Sequence, residues 1–522
     1  MSRSHRIPAP LIAAGAMLWG MLLSAASGEE ALSIRHQRTG ALYTVGEPIV
    51  VSVSGPPRVS VEVTDSENRP VPSPSSAVSQ ASAGGSVTLE PGRLPLSWYT
   101  LTVTAANKSA RTAFGVVPPL NDRVAARQSR FGAIVSPRGK PAAIPDIVHS
   151  LKLAGVRWLD IDIPMAQLNP GKGVYDWESV GRTGRAHFDA FARAAHKEGL
   201  CLMLKFLGQA DWVSKRTGKD VHASWDPALN LSPPGDAAQW AEAVRAVVGR
   251  YRDVCDTWEI GNEPEGHGYF KGSDDEYMAY LETTARAIRA VQPKATIVAA
   301  SMYNGGGVLP RLVKRPDLFD VMSVHYITGP HGDISPLSHY LTAMKEAGIS
   351  KTVWNTESRG NGGASPPTPG ESSHYSAEGA HNQSPTKAYV RNFALGVSRV
   401  FVFSWNLDEG RTIVDRDDTP RRSTVEFRTM ADQLEGAEFV RKVELGKDFS
   451  GYHFRGGDDF LVAWSDVAGR AMRVRLTAKQ NLTLTDTMGR TKTAPAENGV
   501  TTVEVAYEPV FVHGLAAGFE VR

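Results

Sequence analysis

Two glutamates stand where they could act as a chemical pair. Glu263 lies in Trp258-Glu259-Ile260-Gly261-Asn262-Glu263-Pro264-Glu265, and Glu357 lies in Trp354-Asn355-Thr356-Glu357-Ser358-Arg359. Each stretch closes a strand-like run on polar residues. Two carboxyl groups facing one another suit cleavage of a glycosidic bond: one protonates the departing oxygen while the other meets the cationic sugar carbon. A gap of about 5–5.5 Å leads to a covalent intermediate and retention, whereas roughly 6.5–9.5 Å admits a water and gives inversion. Spacing along a chain does not set that gap. Pro264 disfavours helical backbone at the residue before it, so Glu263 is expected to be extended. Glu259 and Glu265 are rival acids, the first preceding the strand end and the second following the proline.

The elements that must position these groups show in the rhythm of the chain. Short apolar or β-branched runs occur at Phe131-Ser136, Gly155-Ile163, Leu200-Leu207, Asp256-Gly261, Ala295-Ser301, Phe319-Tyr326, Lys351-Glu357 and Ser398-Trp405, with helical patterns between them. Ser273 and Glu276 form a capping box ahead of Tyr277, Tyr280, Leu281, Ile288 and Val291 at helical spacing, and Pro293 stops that helix. Eight strand–helix units without a dinucleotide glycine fingerprint favour a closed (β/α)8 barrel. Side chains at the carboxyl ends of barrel strands line the mouth, and strands four and seven face each other across it.

The flanks read differently. Alternating runs with frequent turn residues (Pro48 to Val53, Val59 to Val63, Ser86 to Leu89, Trp98 to Val103) indicate an immunoglobulin-like N-terminal β-sandwich over 29–118. Pro118-Pro119 opens the barrel domain, 119–436, and short strands over 437–522 indicate a C-terminal β-sandwich. Residues 1–28 combine a basic start, an apolar run and small residues, the pattern of a signal peptide, so the mature protein is expected to be secreted or periplasmic. With 57 Lys+Arg against 55 Asp+Glu, no charge excess draws the chain to nucleic acid or to a membrane. The two cysteines, Cys201 and Cys255, open neighbouring strands at the end opposite the mouth, as buried thiols or as a single bridge. No ligand pair is tightly spaced, so neither metal nor cofactor is expected.

Aromatic residues at the mouth, Trp177, Trp212, Trp225, Tyr269 and Tyr303, are candidate platforms for a sugar ring. The long Gly-, Pro-, Ser- and His-rich stretch from Ser358 to Pro385 would wall the cleft, with Arg359 and His374 as contacts. The asparagine-glutamate-proline at strand four and the glutamate at strand seven resemble clan A of the glycoside hydrolases, retaining enzymes on (β/α)8 barrels. The resemblance implies Glu263 as acid/base, Glu357 as nucleophile and Asn262 as the partner of the sugar 2-hydroxyl. It also implies that Glu263 holds its proton and that Glu357 stays ionised. His325 and Tyr326 close strand six and Trp405 closes strand eight, where the clan places a nucleophile partner and the floor of the first sugar site. Gly173-Val174-Tyr175-Asp176-Trp177 is similar to a segment of family 39. That family tends to carry an arginine late in strand two, where this chain has Asp160 or Asp162. The implied substrate is a β-linked carbohydrate; a transglycosylase and an inactive carbohydrate-binding barrel are the alternatives.

Overall fold

The computed structural model describes residues 32–522 apart from 56–58, 72–85, 90–93, 121–122, 138–140, 178–186, 217, 224–228, 267, 326–334, 359–383, 408–411 and 416. Eight parallel strands form a closed barrel: Phe131–Ile134, Trp158–Asp162, Cys201–Phe206, Thr257–Ile260, Thr296–Met302, Val321–His325, Thr352–Ser358 and Arg399–Val402. The eighth pairs with the first, Val400 opposite Phe131, so the sheet has no open edge. Helices between the strands cover the outside, including Ala237–Tyr251, capped by Asp236, and Asp274–Val291, whose capping box of Ser273 and Glu276 is formed.

Because side chains alternate along a strand, every second residue faces the barrel interior, and these stack in layers. The lowest layer is apolar and contains Ile134, Trp158, Met203, Val298, Val321, Trp354 and Phe401. Arg399 closes this end, its guanidinium 3.9 Å from the Trp158 ring centre and 4.1 Å from that of Trp354. The next layer is charged and hydroxylic. Above it lie the carboxylates of the mouth.

Small sheets flank the barrel on both sides, as the alternating runs predict. The N-terminal unit pairs Ser33–His36, Ile49–Ser54 and Ser86–Leu89 in one sheet, and Leu42–Thr44, Lys108–Val117, Ser97–Ala105 and Ser60–Asp65 in another. The C-terminal unit has a six-stranded sheet and a two-stranded one, enclosing Leu461, Leu476, Leu482, Val503 and Val512. Each unit has its own core, yet Trp98 on one side and Tyr452, Trp464 and Phe511 on the other join the continuous core of the barrel.

The last helix, Arg422–Leu434, is buried on nearly every face by these neighbours. Its charges are matched accordingly: Arg422 pairs with Glu508 at 2.6 Å, Arg428 with Asp432 at 2.9 Å, and Glu426 accepts from Ser384 at 2.5 Å. Trp98, fully buried, donates its indole N–H to the Pro420 carbonyl at 2.8 Å just before that helix. No helix among the described residues is long and apolar enough to cross a membrane.

The two cysteines are free thiols, not a bridge. Burial pushes Cys255 up to about 12 and Cys201 above its usual range as well. Denatured protein prepared without reductant is therefore expected to release two thiols to a disulfide reagent, while the folded protein reacts slowly at neutral pH. Trp98→Phe replaces the indole with a smaller ring and leaves the Pro420 carbonyl without its donor, and should lower stability by about 1–3 kcal/mol in urea unfolding.

Candidate active site

Three backbone departures assemble the site. The first is at Glu263, which is not extended but has φ +40°. Pro264 excludes the right-handed helical region for its predecessor, and the chain leaves the strand through the left-handed region instead. Gly261 at φ +83° makes the same exit possible, because a Cβ there would lie 2.7 Å from the Tyr277 ring. The strained turn is tied down by Glu263 N–H donating to Ser301 O at 3.0 Å. Glu265, read in the sequence as a rival acid, instead accepts from the backbone N–H groups of Tyr303, Asn304 and Gly305 at 2.7, 3.0 and 3.3 Å. Burial raises its carboxyl, and its work is to clamp the loop after strand four to the loop after strand five.

The second departure is in strand seven. Simple alternation would put Thr356 and Glu357 on opposite faces. Register shifts between Val324 and His325, and between Asn355 and Ser358, break the alternation. Asn355 points outward to Asn392 at 2.8 Å, while Thr356 and Glu357 both reach His325, at 3.2 and 3.5 Å. The third is in strand five, where Ala300 and Ser301 have φ +80° and +46° and the Ser301 hydroxyl meets Glu259 at 2.5 Å.

The result is a buried cluster. His325 Nδ1 lies 2.9 Å from Glu263 Oε1 and 3.5 Å from Glu357 Oε2. One oxygen of each glutamate and a nitrogen of His325 all fall within 4.8 Å of one another. Asn262 is buried beside them, and Trp405 is buried with its backbone N–H bonded to Ile134 O at 2.9 Å. Trp212 lies on the loop after strand three and anchors its indole N–H on Asn169, 3.0 Å to Oδ1. Trp177 stacks on Tyr175 and meets Tyr251 edge-on, packing on the helical outside of the barrel. Tyr269 packs against Leu207 and Leu229. Tyr326, Arg359, Trp225 and His374 lie outside the described residues.

Beneath the cluster lies a group the sequence reading did not assemble. Lys205 Nζ is 2.7 Å from Asp160 Oδ2 and 3.0 Å from Glu259 Oε2, all three side chains being buried. Burial pushes the Asp160 carboxyl well above its usual range against the pull of Lys205. Glu259 is held below its range: burial opposes this, but Lys205 and the Ser301 hydroxyl outweigh it. Burial also works against the Lys205 ammonium, and the two carboxyl groups overcome it. Lys205 stands on strand three, held against the strand-two aspartate Asp160. Its signal in the sequence is a lysine inside the apolar run Leu200-Leu207.

The closed parallel barrel, with Glu263 and Glu357 at the carboxyl ends of strands four and seven, is a fold shared with solved glycoside hydrolases. Among solved structures, a family 39 glycoside hydrolase from the gut symbiont Bacteroides cellulosilyticus WH2 matches with a TM-score of 0.70 and 18% identity, covering 92% of this chain and 100% of its own. A family 39 β-xylosidase from Caulobacter crescentus matches at 0.53 and 15% identity, covering 76% and 98%. A glucosidase from Croceicoccus marinus matches at 0.53 and 15%, covering 74% and 95%. At these identities the likeness is one of fold. No protein-family model and no curated protein matches the sequence.

The ion group gives a direct test. Lys205→Met leaves two carboxyl groups buried without their cation and is expected to cost about 3–5 kcal/mol in denaturant unfolding.

Proposed function

We propose that this protein is a retaining glycoside hydrolase that cleaves β-linked O-glycosidic bonds of a poly- or oligosaccharide by double displacement. The observation that carries the reading is the separation of the two glutamates, whose nearest oxygens lie within 4.8 Å. That gap is on the short side of the distance that permits direct attack, and too narrow for a water bound between carboxylate and sugar. The fold shared with family 39 enzymes supports the same class of reaction.

In the first step Glu357 attacks the anomeric carbon while Glu263 gives its proton to the departing oxygen. The glycosidic bond breaks and a glycosyl ester forms. In the second step Glu263 takes a proton from water, the water oxygen attacks the same carbon, and Glu357 leaves. Two inversions give net retention. Asn262, next to the acid, is assigned to the sugar 2-hydroxyl, a contact that tightens as the ring becomes cationic. Trp405 is assigned to the apolar face of the first sugar, and Trp212, Tyr326 and Arg359 to further sugar contacts. The basic start, apolar run and small residues of 1–28 support export and a substrate met outside the cytoplasm.

Aryl β-xylosides and β-glucosides are the first substrates to screen. Glu263→Ala should lower kcat/KM by about 10²–10⁴-fold on substrates with poor leaving groups. Azide should rescue this variant with a β-glycosyl azide, and should rescue Glu357→Ala with the inverted α-azide. Exchanged products would reverse the two roles. Transfer to an added acceptor sugar without hydrolysis would make the protein a transglycosylase, and glycan binding without turnover would make it an inactive binding barrel. The same nitrogen and oxygens could accept a divalent cation, so loss of activity on chelation would argue for a metal-assisted reaction instead.

A further inference from the structure

A chain of hydrogen bonds joins the charged layer of the barrel to the facing carboxylates, and its direction is set at one end. Glu259, paired with Lys205, is an ionised carboxylate and can only accept. Ser301 Oγ donates to its Oε1 at 2.5 Å and Ser323 Oγ to the same oxygen at 3.0 Å. Having given its one proton there, Ser323 must accept from Thr356 Oγ1, with which it is in close contact. Thr356 has then used its own proton and must accept from His325 Nε2 at 3.2 Å. That leaves Nδ1 facing Glu263 Oε1 at 2.9 Å and Glu357 Oε2 at 3.5 Å.

We propose that Glu259, Ser323 and Thr356 are positioning residues that lock His325 with its Nε2–H directed at Thr356, so that Nδ1 is held against Glu263 Oε1 and Glu357 Oε2. The proposal rests on the reading of Glu263 as the acid/base. Fixed this way, the ring keeps one nitrogen edge against both carboxyl groups while Glu263 gives its proton in the first step and takes one back in the second.

The charged and titratable groups around His325 come from several elements. Glu263 and Glu357 meet Nδ1, while Glu259, Lys205 and Asp160 lie behind the hydroxyl chain. Tyr340, on the helix Ser335–Glu346, is kept a neutral phenol by burial. The hydroxyl chain is what meets the other nitrogen, through Thr356 Oγ1 at 3.2 Å from Nε2.

The test reads the tautomer directly, from the ring-nitrogen chemical shifts of His325 in protein carrying isotope-labelled histidine. The expected state is Nε2–H with Nδ1 hydrogen-bonded. Thr356→Val keeps the side-chain shape and removes the hydroxyl. It should remove the hydrogen-bonded Nε2–H signature and lower kcat by about 10-fold with KM little changed, and Thr356→Ser should restore both. An Nδ1–H tautomer in the unmodified protein overturns the proposal, as does Thr356→Val with signature and kcat unmoved. If Thr356→Val does not fold, the tautomer of the unmodified protein still decides. Azide rescue assigns the acid independently: an inverted azide from Glu263→Ala beside an Nε2–H tautomer would sink the acid/base reading, and an Nδ1–H tautomer beside the expected azides would sink only the positioning chain.

Discussion

The structure turns on placing one ammonium, Lys205, at the centre of a closed barrel. A buried charge is costly unless it is paired and hydrogen-bonded, and a barrel core offers no water to do this. Asp160 from strand two and Glu259 from strand four pair with it from neighbouring strands, and the hydroxyls of Ser301 and Ser323 both meet the other oxygen of Glu259. This layer separates the apolar floor of Trp158, Met203, Val298 and Trp354 from the carboxylates of the mouth. The polarity of the hydroxyls above it follows from that one ion pair.

Above this layer the regular barrel gives way. Alternation would send Thr356 and Glu357 to opposite faces and would leave Ser301 off the chain, so strands five and seven depart from their register at these residues. Left-handed backbone at Glu263, Ala300 and Ser301 concentrates around the same cluster. Such conformations cost on the order of 1–3 kcal/mol each and persist where the surroundings over-determine them. Here the surroundings include the three amide bonds to Glu265, the bond from Glu263 N–H to Ser301, and the close packing of Gly261 on Tyr277.

The flanking sheets brace this assembly from behind. They bury the helix Arg422–Leu434 on nearly every side, and the segment leading into it is bonded to the residues just after strand eight through Val414 N–H on Trp405 O at 3.3 Å and Ile413 N–H on Ser404 O at 3.1 Å. Trp98 reaches the same segment from the N-terminal sheet. The floor assigned to the first sugar is thereby tied to packing between domains, well away from the carboxylates.

What the amino-acid order determined by itself is the part governed by local periodicity and turn chemistry. Eight strand–helix units, the capping box at Ser273, the sheets on either side, and the placement of Glu263 and Glu357 at strand ends are all legible there, because burial on one face imposes a period that any such chain must show. Lys205, Asp160 and Glu259 were visible only as charges out of place in apolar runs, and their pairing depended on which strands become neighbours on closure. The left-handed turn at Glu263 was misread because Pro264 restricts its predecessor without choosing between the two remaining exits. The convergence of Thr356 and Glu357 on His325 was decided by tertiary structure alone. It needs a break in register, and a break in register is set by the neighbouring strand, which one-dimensional spacing cannot see.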